Sequence, residues 1–181
     1  MPEFLPVTPE RADDLERFSS RHGKFRYCSC MRWRMTSAEF KASDKQARVA
    51  ALAASAEGGE PVGVLAYEDG EPVGWCAVAP REGLRGLERY RALARIDEAP
   101  VWSVVCLFVD ASARRQGLTS GLLRAAAHYA VAAGAEVVEG YPVEPDARLY
   151  TYMGSPAAFA AAGFRDVTPP GRERRVFRYV P

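Results

Sequence analysis

Apolar side chains follow two rhythms along this chain. At seven places they run together or alternate over a few residues, as strands require: 3–7, 62–67, 72–79, 101–109, 136–141, 164–167 and 174–180. The stretch at 101–109, VWSVVCLFV, is the most apolar of them and belongs at the centre of a sheet. Between 62–67 and 72–79 the turn Glu68-Asp69-Gly70-Glu71 carries an Asp-Gly pair, whose residues both accept positive φ, so these strands form a tight hairpin. Pro169-Pro170-Gly171 turns the last two strands into a second hairpin.

Elsewhere the spacing is helical. Thr8 and Pro9 suit a helix start, Ala12, Leu15, Phe18 and His22 share a face, and Gly23 suits the stop. Thr36 and Glu39 form a capping box ahead of a helical region marked by Phe40, Val49 and Leu52, broken near Ser43 and Asp44. Leu118, Leu122, Ala125 and Tyr129 line one helical face that ends at Gly134. Ser155 and Pro156 open a short last helix, which Gly163 closes. The strand at 101–109, the helix after it and the strand at 136–141 make one crossover unit with parallel strands. Three stretches read as irregular: the basic, aromatic KFRYCSCMRWRM, the arginine-rich 81–100 with one helical turn, and the tyrosine-rich 146–154. The expected architecture is α/β, a mixed sheet with helices on both faces, in one domain spanning 1–181.

Composition narrows the function. A length of 181 residues with 48% apolar residues suits one soluble domain with a real core. A formal net charge of +1 argues against a nucleic-acid partner. The start MPEFLPVTPE has no basic region followed by an apolar run, and no stretch approaches the ~20 apolar residues that span a bilayer. No membrane partner and a cytoplasmic location are therefore expected. The four cysteines read as reduced thiols, since Cys28 and Cys30 are too close for an easy mutual bridge. They do not read as a zinc site either, with only His22, His128, Cys76 and Cys106 left to complete one, and no metal is expected.

The chemistry concentrates in Arg114-Arg115-Gln116-Gly117-Leu118-Thr119-Ser120-Gly121, which joins the central strand to its helix. Small residues let a ligand approach the backbone, free N–H groups point out of a helix start, and two arginines add permanent charge, so the loop suits a diphosphate. The plain alternative is a solvated basic turn. No Gly-Lys-Ser/Thr and no G-x-G-x-x-G is present, which excludes the common nucleotide loops.

The loop resembles the Arg/Gln-x-x-Gly-x-Gly/Ala signature of the GNAT superfamily of acyl-CoA N-acyltransferases, with Arg114, Gly117 and, as a departure, Thr119 in the three defined places. The order of elements and the Ala161-Ala162-Gly163-Phe164 ending are similar too. Within the superfamily the chain resembles a subgroup with Cys28 and Cys30, Gly74-Trp75-Cys76 and Glu139-Gly140-Tyr141-Pro142 in these contexts. The resemblance implies a mostly antiparallel sheet of about seven strands whose central parallel strands splay apart. It implies acetyl-CoA as co-substrate. The pantetheine arm would run along Leu107, Phe108 and Val109, and the pyrophosphate would meet the loop from Arg114 and Arg115 through Gln116, Gly117, Leu118 and Thr119 to Ser120.

It also implies transfer of acetyl to a primary amine, most simply of a small molecule. A protein or peptide acceptor and a non-catalytic acyl-CoA sensor are the rival readings. The family's usual acid, a tyrosine, is replaced by Phe159, and the usual glutamate base by Ser103. As substitutes, Glu139 reads as a base or a salt-bridged strand residue, and Tyr152 as an acid or a packing ring. Tyr27, Cys28, Cys30, Trp33 and Tyr141 are expected around the acceptor, Tyr141 equally as a packing ring beside Pro142. The chain is expected to be a monomer or homodimer.

Overall fold

The computed structural model describes residues 1–181, the side chains of Lys24 and Arg26 excepted. Its strands are β1 (Glu3–Pro6), β2 (Gly63–Glu68), β3 (Glu71–Pro80), β4 (Trp102–Val109), β5 (Val138–Gly140), β6 (Arg165–Asp166) and β7 (Phe177–Tyr179). They form one sheet in the order β1-β2-β3-β4-β5-β7-β6. Neighbours pair antiparallel except β4 and β5, which are parallel. The hairpin between β2 and β3 turns through Asp69 (φ 50°) and Gly70 (φ 80°), as the Asp-Gly pair requires.

Alternation along the strands sorts side chains into two cores. Leu65, Trp75, Ala77, Ala79 and Val105 face one side, with α1 (Ala12–Arg21) and α5 (Lys45–Glu57) against it. Val64, Ala66, Cys76, Val78 and Val104 face the other, under α6 (Leu118–Ala132) and α7 (Pro156–Ala161). The buried stripe of α6 runs through Leu122, Ala126 and Ala130, so Ala125 and Tyr129 flank the contact rather than centre it.

The capping box forms: Thr36 N–H donates to Glu39 Oε2 at 2.7 Å, and Glu39 N–H to Thr36 Oγ1 at 3.2 Å. It starts α4 (Ser37–Ala42), and the break after it is the N-cap Asp44 of α5, which accepts from Ala47 N–H at 2.7 Å. Residues 81–100 hold three short 3-10 turns, at 81–83, 85–89 and 91–93, rather than the one turn expected, and two expectations between α1 and α4 fail. Residues 24–35 are not irregular but hold α2 (Gly23–Cys28) and α3 (Met31–Arg34), joined by Ser29 (φ 44°) and Cys30 (φ 57°), both left-handed. Gly23 opens α2 instead of closing α1. Helices of six and four residues have no detectable period and depend on tertiary packing. Phe25, Cys30, Met31 and Trp33 supply that packing, all buried.

Positioning of the site follows from one mismatch of length. β5 has three residues and pairs β4 only through Trp102↔Val138, Ser103↔Glu139 and Val104↔Gly140. β4 continues to Val109 with β3 on one edge and no strand on the other. The parallel strands therefore part beyond Val104, and a cleft opens where they part.

Candidate active site

The free end of β4 runs into the arginine-glycine loop. Arg114 folds back so that its Nε–H donates to Val109 O at 3.1 Å. The chain then turns through Arg115 (φ 63°) and Gly117 (φ 78°) into α6. A β-carbon on Gly117 would meet nothing within 4 Å, so its glycine is needed for the left-handed turn and not for space. The first amide engaged within the helix is Gly121, bonded to Gly117 O at 3.1 Å, which leaves the N–H groups of Leu118, Thr119 and Ser120 directed outward. Arg114, Arg115 and Gln116 are exposed, and among the described residues neither arginine has a carboxylate partner. The loop thus fits a diphosphate. Leu118 contributes only its backbone, because its side chain is buried in the core under α6.

Beside this loop lies a cleft of about 910 Å³. Leu107, Phe108 and Val109 of β4, with Arg114 of the loop and Thr119 of α6, form one wall, and Tyr27, Cys28, Cys30, Arg32 and Trp33 the wall from α2 and α3. The 149–154 loop closes it with Tyr150 and Tyr152. Ten of the expected site residues therefore line one cavity. Arg115, Gln116 and Gly117 of the loop, and Leu118 and Ser120 of the first turn of α6, are outside the lining.

The thiols gather on its floor. Trp75 Nε1–H donates to Cys30 Sγ at 3.2 Å, and Cys106 also hydrogen-bonds Cys30. The hydrogen bond with Cys30, together with burial, pushes the Cys106 thiol well up, so Cys106 holds its proton. Burial pushes Cys28 up to about 11. Among the described residues no three His, Cys, Asp or Glu side chains are grouped to hold a metal ion. Tyr152 is half-buried, and burial, then the nearby thiols, raise its phenol far above the ordinary value.

Glu139 and Tyr141 lie elsewhere. Both are buried and neither lines the cleft. Tyr141 donates to Glu139 Oε1 at 2.8 Å, and Arg178 Nε–H donates to Glu139 Oε2 at 2.7 Å. Arg81, wholly buried, donates to Tyr141 Oη at 2.6 Å and stands 3.7 Å from Glu139 Oε1. Ser103 Oγ is 2.9 Å from Tyr141 Oη. Arg81 further donates to Glu88 and to Leu93 O, at 2.9 and 2.7 Å, and Arg178 grips Asp97 at 2.6 and 2.9 Å. Ser103 is thus part of a polar knot that ties β4 to β5, β7 and the 82–97 loop. The expectation that Glu139 and Tyr141 sit beside the reacting groups does not match this placement: their polar atoms are spent inside the knot. Phe159, at the usual tyrosine place, is fully buried, and a β-carbon on Gly140 would lie 2.1 Å from its ring.

Arg32, Phe40, Cys106, Leu149 and Thr151 also line the cleft and were not foreseen. Cys106 was legible in principle, since alternation puts it on the same face as Phe108. Arg32 was hidden in a basic stretch that showed no helical period.

Similarity of form extends over the chain. A Drosophila melanogaster polyamine N-acetyltransferase that forms N-acetylagmatine superposes with a TM-score of 0.60 at 16% identity, covering 100% of both chains. A mosquito arylalkylamine N-acetyltransferase-like protein gives 0.61 at 11%, again over 100% of both. A PaiA N-acetyltransferase of Thermoplasma acidophilum, solved in complex with coenzyme A, gives 0.54 at 11%, over 100% of this chain and 99% of the other. At these identities the likeness is one of fold. No curated protein matches by sequence. The sequence pattern that describes the acetyltransferase (GNAT) family matches residues 28–154, more than two thirds of the chain and all of the cleft lining but Phe25 and Tyr27, and the protein belongs to that family.

Proposed function

We propose that the protein is an acetyl-CoA-dependent N-acetyltransferase that moves an acetyl group directly to a small primary amine. One observation carries this reading: the unpaired edge of β4, Arg114 of the loop and Thr119 in the first turn of α6 line a single cleft. The Thermoplasma relative solved with coenzyme A supports the choice of co-substrate. The wall of α2 and α3 encloses the acceptor side, which favours a small molecule over a protein.

The thioester is the group that acetyl-CoA would supply. The residues of this chain would act as follows. Loop amides and the charges of Arg114 and Arg115 hold the diphosphate. The backbone of Leu107, Phe108 and Val109 aligns the arm and polarises the carbonyl. Tyr152, which lines the cleft, donates its proton to the departing thiolate, and the proton shed by the newly acylated nitrogen restores the phenol. Glu139 keeps β4 and β5 together and transfers no proton. Among the described residues no carboxylate or imidazole lines the cleft, so the amine loses its proton to water before attack. For an amine of ordinary pKa near 10.4 this costs about 4–5 kcal/mol at pH 7, and the rate rises with pH toward that value.

Calorimetry with acetyl-CoA and coenzyme A release across an amine panel test the reading. Absence of acetyl-CoA binding at millimolar concentration would sink it. Binding with no turnover on any amine would make the protein an acyl-CoA sensor.

A further inference from the structure

The cleft has an uncompensated positive end. Arg32, on α3, lines it beside Tyr27, Phe40, Tyr150 and Tyr152. Its guanidinium donates to the Tyr90 hydroxyl and lies 5.7 Å from that ring's centre. Two arginines near it have carboxylates, Arg34 with Glu60 and Arg85 with Glu39, whereas Arg89, which donates to Arg32 O, has none among the described residues, and Arg32 differs from all three in lining the cleft. Among the described residues Arg32 has no carboxylate partner, and there the one other charged side chain of the lining is Arg114 of the loop. A partly buried guanidinium held by a phenol leaves several N–H donors for an anion.

We infer that the acceptor is a primary amine with an apolar or aromatic body and a carboxylate at its far end, and that Arg32 binds that carboxylate. The inference rests on the acetyltransferase reading for turnover, though not for binding. Two effects select such a molecule. A carboxylate on Arg32 gains a charge-assisted, bidentate contact, while a second ammonium at the same place meets a cation with no counter-ion. The aromatic walls accept the hydrocarbon between the two ends. Diamines and polyamines, whose binding calls for carboxylates, find none here.

The anion on Arg32 could also be a phosphate of coenzyme A, and the test separates the two. Three matched amines serve as probes: para-aminomethylbenzoate, its carboxamide and para-xylylenediamine. The expected order of kcat/KM is carboxylate over carboxamide by ~10- to 100-fold, the worth of one charge-assisted hydrogen bond, with the diamine lowest. Arg32→Gln should erase the preference, Arg32→Lys should retain part of it, and Arg32→Glu should turn it toward the diamine. Calorimetry should show acetyl-CoA affinity kept in Arg32→Gln and para-aminomethylbenzoate affinity lost. Equal use of carboxylate and carboxamide by the wild type overturns the inference and leaves the acetyltransferase reading standing. A fall in acetyl-CoA affinity with the carboxylate preference intact assigns Arg32 to coenzyme A and overturns it as well. If no amine turns over, binding decides: equal affinity of wild type and Arg32→Gln for para-aminomethylbenzoate is a refutation.

Discussion

Replacing Glu139 separates a catalytic glutamate from a structural one. Its side chain is 2% exposed and meets Arg178 at 2.7 Å, Tyr141 at 2.8 Å and Arg81 at 3.7 Å. Glu139→Ala leaves Arg81, whose side chain is 0% exposed, with the half-exposed Glu88 as its remaining carboxylate. Removing one partner of a buried pair costs about 3–5 kcal/mol. Glu139→Gln keeps shape and one acceptor but loses the charge, so the loss falls to about 1.5–3 kcal/mol, the value of a hydrogen bond to a charged group. For a domain of this size that lowers Tm by roughly 3–12 °C. Urea unfolding of both variants, with coenzyme A release measured beside it, reads the two roles separately. The expected result is a stability loss with turnover per folded molecule near the wild-type value and an unchanged pH profile. Wild-type stability together with a turnover loss of ~100-fold or more would make Glu139 the base and refute the reasoning.

Three further outcomes follow from the same geometry. Tyr152→Phe should lower kcat by ~10²-fold or more with little change in acetyl-CoA affinity, seen by steady-state kinetics and calorimetry. Asp97, held at about 2 by its hydrogen bonds with Arg178, has a folded pKa below its unfolded one, so its contribution is present above pH ~4 and fades as pH falls toward ~2. Because the carboxylate is 47% exposed the contribution stays under ~1 kcal/mol, and Asp97→Asn should flatten urea stability over that window by no more than this. Gly140→Ala drives a methyl into the Phe159 ring and should cost about 1–3 kcal/mol, whereas Gly140→Ala combined with Phe159→Leu should recover part of the loss.

What could be read from the sequence was local. The Asp-Gly turn, the Thr36–Glu39 capping box and the loop from Arg114 to Gly121 each announce themselves within a few residues, because backbone conformation and capping are decided there. The sheet and its most apolar strand followed from alternation. Short helices were illegible: α2 and α3 exist because Phe25, Met31 and Trp33 bury against the sheet, which no local rule contains. The place of Glu139 was illegible for the same reason. Its partners are Arg81, just past the end of β3, and Arg178, the middle residue of β7, and only sheet order and pairing register bring them to it. The acceptor wall suffered most, since Arg32 acquires meaning from what does not face it across the cleft.

The two sides of the cleft differ in how firmly they are made. The side proposed for the coenzyme stands on β4, hydrogen-bonded along its length to β3, and on the fifteen-residue α6. The acceptor side is two helices of six and four residues hinged at Ser29 and Cys30, neither able to hold its shape alone. Local opening should therefore cost less there, with amides of α2 and α3 expected to exchange with solvent sooner than those of β4. A division of this kind also separates what may vary from what may not. On the proposed function, the less buried residues of the acceptor wall, Tyr27 and Arg32, can change without loosening the strand and loop proposed to hold the acyl donor, so new acceptors are within short reach of the same scaffold.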